Sequence, residues 1–135
     1  MRFLDGVGRA GLVALLLGMA GTAGAGQVKC RIPFGFTVNE RALPAGDYHV
    51  STVGGVLFVR GYGGGALVMT HGLEAEQETE GRLVFRKDGR EHVLTHVWMG
   101  GVDGHELVQP RDERERVRAA RSGGVALEQV VIPAS

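Results

Sequence analysis

With 135 residues, 15 basic and 15 acidic side chains and a single cysteine, the chain has the size of one domain and excludes several classes of protein at once. The charge balance leaves no basic excess to hold nucleic acid or an anionic membrane surface. One cysteine cannot close an intrachain disulfide.

The first segment reads as an export signal. Arg2 and Arg9 make a positive start, an apolar stretch runs from Ala10 to Ala20, and Ala23-Gly24-Ala25 has the A-x-A form of a cleavage site. The stretch is shorter than the roughly 20 apolar residues that span a bilayer, and Gly18, Gly21, Gly24 and Gly26 oppose a buried helix. Residues 1–25 are therefore expected to be a cleavable signal peptide. Residues 26–135 would form a single β domain, secreted or periplasmic after cleavage near Ala25 and without an integral membrane span. Cys30 follows Gln27-Val28-Lys29, which is no lipid-attachment site, and the two arginines are not adjacent as a twin-arginine signal requires. Arg2, Arg9 and Asp5 leave with the signal, so 13 of the 15 basic and 14 of the 15 acidic residues remain. Cys30 reads either as a small buried apolar residue or as an exposed thiol able to pair with another molecule.

From Val28 onward, short β-type runs alternate with Gly, Pro and Asp or Asn signals. The first, Lys29 to Val38, contains Pro33 and should be an edge strand or bend there. Asn39 to Gly46 reads as a turn region. Tyr48 to Val53, Val56 to Tyr62 and Ala66 to Thr70 follow as strands, joined by Gly54-Gly55 and Gly63-Gly64-Gly65. Residues 74–80 place Glu74, Glu76, Glu78 and Glu80 on one side, as a solvated connection or edge strand. They lack the mixed ligands of a calcium loop.

Asp88-Gly89 predicts a two-residue hairpin turn. That register sets Lys87 opposite Arg90, Arg86 opposite Glu91 and Phe85 opposite His92. Leu83, Phe85, His92, Leu94, His96 and Trp98 then share the expected core face, and the Arg86–Glu91 pair lies on the wet one; a one-residue slip would invert the assignment. After breaks at Gly100-Gly101 and Asp103-Gly104, Glu106 to Gln109 is a further short run. A helix is predicted over 111–121: Pro110 suits its first turn, Asp112 and Glu113 complement its dipole, and Gly123 lies where a C-cap would. Val130, Val131 and Ile132 end the chain as a strand over about 128–132, and their unbroken apolar run predicts cover on both sides.

No catalytic residue emerges from the chemistry-bearing side chains. His92 and His96 on one strand are separated by about 13 Å, whereas a shared zinc needs both nitrogens at about 2.1 Å. His105-Glu106 begins like a metalloprotease signature, but Gln109 stands where the second histidine belongs. There is no Gly-x-Ser-x-Gly elbow, and Gly61 to Gly65 lacks the lysine of a phosphate loop. No metal and no cofactor are expected. His92, His96 and Trp98 are the candidate ligand-binding residues, lining one side of a cavity.

Two segments resemble a family of small exported proteins abundant in acidobacterial genomes. They are Ile32-Pro33-Phe34-Gly35-Phe36-Thr37-Val38 with Leu43-Pro44-Ala45-Gly46-Asp47-Tyr48-His49-Val50, and Leu83-Val84-Phe85 through Val97-Trp98. The resemblance implies export and carries no activity with it. The chain departs from that family where His92 and Val93 replace aromatic residues.

The expected fold is all-β: an antiparallel sandwich or partly closed barrel of about seven or eight strands, with one short helix before the last. The expected function is a non-enzymatic binding or structural role in the envelope or outside the cell, with a small apolar ligand or an envelope protein as partner. The alternative is a hydrolase or metal-dependent enzyme whose site assembles from distant histidines.

Overall fold

The structure, a computed structural model, describes residues 25–124 and 127–135; the expected signal peptide lies, but for Ala25, outside them. The elements in chain order are β1 (Ala25–Ile32), β2 (Phe36–Val38), β3 (Arg41–Leu43), β4 (Gly46–Val53), β5 (Val56–Gly61), β6 (Gly64–Thr79), β7 (Arg82–Asp88), β8 (Glu91–Leu107), α1 (Arg111–Ser122) and β9 (Glu128–Pro133). The fold is all-β and sandwich-like, with one short helix before the last strand and a nine-stranded mixed sheet that is not closed into a barrel. The strands number one or two more than expected, because Pro33 divides the first run into β1 and β2 and the turn region itself supplies β3.

Local chemistry explains the first half. Pro33 has no N–H to continue a ladder, so β1 stops at Ile32 and pairs antiparallel with β4. Two-residue loops join β2 to β3 at Asn39-Glu40, β4 to β5 at Gly54-Gly55 and β5 to β6 at Tyr62-Gly63. The expected Gly63-Gly64-Gly65 linker is thus mostly strand. Gly65 is fixed there by space, since a Cβ would stand 2.7 Å from the carbonyl oxygen of Val59.

The second half is a long ribbon. β6 runs on through the acidic stretch, and its residues 70–79 pair with the 101–107 end of β8, while β7 pairs with the 91–98 end. The expected breaks at Gly100-Gly101 and Asp103-Gly104 therefore lie inside β8. They bend it rather than end it. Gly100 and Gly101 take φ of 104° and 62°, and the ribbon folds there so sharply that Trp98 packs on Gly104. A Cβ on Gly104 would stand 2.4 Å from that indole ring.

Val28, Ile32, Phe36, Val38, Tyr48, Val50, Leu57, Val59, Leu83, Phe85, Leu94 and Val97 form one core. β9 closes it along β7 and places Val130 and Ile132 against it. Val131 is 51% exposed, so β9 is covered on one face only, and the expectation of cover on both is corrected. Reciprocal hydrogen bonds between Lys29 and Ser135, of 2.8 and 3.0 Å, tie the end of the chain to β1. No helix among the described residues is long and apolar enough to cross a membrane.

Candidate functional site

The site grows out of the β7–β8 hairpin. Its loop is Gly89-Arg90, with Asp88 opposite Glu91, so each partner moves two residues from the predicted register and Phe85 faces Leu94 instead of His92. Gly89 has φ 64°, the positive value that a II′-type turn asks of its first loop residue. A two-residue shift keeps every side chain on its face, so Leu83, Phe85, His92 and Leu94 do share the core side. The ladder then slips between Val84 and Phe85, where Thr95 is the unpaired residue of a bulge. Beyond it the alternation inverts: Val97 enters the core beside Leu83, while His96 and Trp98 turn to the opposite face.

The bulge separates the three candidate residues. His92 stacks on Phe34 with ring centroids 3.8 Å apart and planes at 12°, and Phe34 meets Phe85 edge-on. Its Nδ1 is buried without a partner, and burial, followed by the charge of Lys87, pushes its pKa below the usual histidine value. Trp98 lies over Gly104 with the guanidinium of Arg82 5.0 Å from its ring centre. His96 alone of the three faces a cleft.

That cleft, of about 510 Å³, lies between α1 and the second face of the hairpin. The face was expected to be wet, with Arg86 paired to Glu91. Instead Arg86 sits opposite Val93, is 8% exposed, and gives Nη2 to the Glu113 carboxylate of α1. Glu113 also accepts from Arg116 Nη1 at 2.6 Å. The Thr95 hydroxyl donates to the Val84 carbonyl at 3.1 Å, so the 2.9 Å contact from His96 Nδ1 must be a donation to that oxygen. This leaves His96 Nε2 directed at Glu106, 3.7 Å away. Gln109 Nε2 donates to the Leu94 carbonyl at 3.2 Å.

The helix supplies the opposite wall. Its first turn is acidic at Asp112 and Glu113, its last basic at Arg121, and the Gly123 N–H closes it on Ala119 O. None of its residues is buried. Arg114, Arg118 and Arg121, at i, i+4 and i+7, line the cleft beside Val117. These three arginines meet no carboxylate among the described residues. Sequence reasoning missed them and Arg86 as site residues, although the helical spacing of the three was readable, as was an arginine ending the apolar run Leu83-Val84-Phe85.

The remaining histidines stay apart. His49 is exposed beside Gln27, His71 is exposed, and His105 lies 3.2 Å from Asp103 and 3.4 Å from the Thr70 hydroxyl. Among the described residues no three His, Cys, Asp or Glu side chains gather to hold a metal ion. Cys30 is buried, and burial, with a smaller push from Asp47, raises its thiol to about 11. It stays protonated and weakly nucleophilic at neutral pH. A second, wide concavity of about 960 Å³ lies over β4, β5 and β6, where Val53 and Leu67 are exposed, and reaches Asn39 and Arg41. No protein-family model matches the chain, and neither a curated protein nor a solved structure matches it.

Proposed function

We propose that the protein is exported and acts as a non-enzymatic binding protein that takes a small ligand into the cleft beneath α1. Arg86 carries this reading. A buried cation is costly to desolvate, yet this one stands in the wall of a cleft open to solvent, among the side chains of Thr95, His96, Gln109 and Gln129. Small-molecule sites have this size and bring a few polar groups together. The one hydroxyl that His96 touches is already committed to the Val84 carbonyl, which argues against a nucleophile and base pair there. The polar lining is at odds with the apolar ligand expected from the sequence. Export is supported by residues 1–25 and by the resemblance of the Ile32–Val50 and Leu83–Trp98 segments to small exported proteins.

Val117→Trp would fill the cleft from its half-buried helical position. A thermal-shift screen of the purified protein with small molecules of each charge class should find stabilising compounds whose effect the substitution abolishes. Compounds that act equally on the filled variant, or no stabilising compound in any class, would overturn the reading. For export, fractionation and N-terminal sequencing should find a chain beginning at Gly26 outside the cytoplasm. An intact Met1 end in the cytoplasm would sink that part.

A further inference from the structure

Resting on that cleft, the geometry points to a narrower statement: its ligand is a small oxyanion, a carboxylate, phosphate or sulfate compound, and Glu113 occupies the anion's place on Arg86 in the unliganded protein. Four arginines line the cleft (Arg86, Arg114, Arg118 and Arg121) against two carboxylates, Glu106 and Glu113. One of those carboxylates is itself the partner of Arg86. Apart from the bond to Glu113, the Arg86 guanidinium has no protein acceptor among the described residues. A guanidinium carries five donors in a planar fork suited to two oxygens at once. One carboxylate oxygen leaves that fork partly unused.

Exchange of Glu113 for a ligand is energetically reasonable. Removing one partner from a buried ion pair is strongly unfavourable because a charge is left alone, whereas swapping one oxyanion for another keeps the pair. Little else holds Glu113 in place: α1 buries none of its residues, and its ends are Pro110 and the pair Gly123-Gly124, the latter with φ 79°. A displaced Glu113 keeps Arg116 as a partner at 2.6 Å. The incoming anion gains Arg114 and Arg118, which meet no carboxylate among the described residues. Glu106, 3.7 Å from His96, disfavours a negative group beside it. The ligand thus carries its charge toward the arginines.

Calorimetric titration of the purified protein with pyrophosphate, citrate and sulfate, with glucose as neutral control, tests this. Oxyanions should bind, and added sodium chloride should weaken them. Arg114→Glu with Arg118→Glu, both on the exposed helix, should cost about tenfold or more in affinity. Glu113→Gln should tighten binding several-fold by removing the internal competitor. Circular dichroism confirms that each variant is folded, and Glu113→Asp serves if the glutamine variant is not, with tighter binding again expected from its shorter reach. Vesicles with and without an anionic lipid separate a free anion from a lipid headgroup: binding to soluble anions alone supports the statement, and binding to anionic vesicles alone overturns it. If glucose or other neutral compounds bind in a Val117→Trp-sensitive way and oxyanions do not, the oxyanion assignment fails while the cleft reading survives. If oxyanion binding ignores the arginine reversals, or Glu113→Gln weakens it, the assignment fails as well. If nothing binds, the cleft reading itself fails.

Discussion

The two faces of the β7–β8 hairpin come from the same strands and have opposite chemistry. On one side Leu83, Phe85, Leu94 and Val97 are fully buried, and His92 lies stacked on Phe34 at the margin. On the other, Arg86 and His96 face a cleft roofed by a helix with no buried residue. The two histidines are four residues apart and, in an unbroken strand, would share a face. Thr95, the extra residue of the bulge, sends them to opposite sides. One inserted residue thus decides which histidine is packing material and which lines the cleft.

Giving that residue a partner disrupts both faces at once. One alanine inserted between Val84 and Phe85 would pair with Thr95, abolish the bulge and drive His96 and Trp98 toward the core in place of Val97; the expected result is a chain with no cooperative unfolding transition by circular dichroism. Next in size is Phe85→Ala, which opens the aromatic contacts to Phe34 and Phe36 and should cost about 3–5 kcal/mol in urea unfolding. On the cleft side no single apolar truncation should cost as much. Gly104→Ala puts a methyl group into the Trp98 ring and is expected to cost roughly 1–3 kcal/mol, with a change in Trp98 emission. A Gly104→Ala protein of native stability and emission would mean that the ribbon is less sharply bent.

Titration sharpens the same contrast, because the groups on the core side are held neutral. Cys30 is raised to about 11 in the folded protein, so from pH 9 upward the unfolded chain loses this proton first and stability should fall, by at most about 1.4 kcal/mol per pH unit. Cys30→Val should remove that part of the alkaline loss and leave the part due to Tyr48, which burial also raises. His92 shifts the other way. With its folded pKa depressed, its contribution is present above the ordinary histidine value near 6.5 and is lost as pH falls below it. His92→Phe should keep the stack on Phe34 and flatten the acid limb. An unchanged acid limb would place the sensitive group elsewhere.

Much of the first half was legible because its signals are local. The glycine pair of the β4–β5 loop and the proline that ends β1 act within a few residues of themselves, and so, in the second half, do Pro110 and the acids that open the helix. They gave the all-β class, the helix before the last strand and most strand positions. Local signals failed at Gly100-Gly101, where the same residues that suggest a stop produce a bend inside one strand. They failed again at Val130-Val131-Ile132, where composition cannot tell which face is covered.

The order of residues alone sets most of the strand positions, rules out a disulfide within the chain for the lone cysteine and balances the charge. Which polar residues meet is a matter of long-range packing. The Arg86–Glu113 pair spans 27 positions and joins a strand to a helix, and His96 reaches Glu106 only because the ribbon folds at its glycines. Those contacts depend on long-range strand pairing and on a single bulge that no periodicity announces. For the same reason the cleft was invisible in the alternation, which placed Leu83, Phe85, His92 and Leu94 on the core side correctly and His96 and Trp98 wrongly.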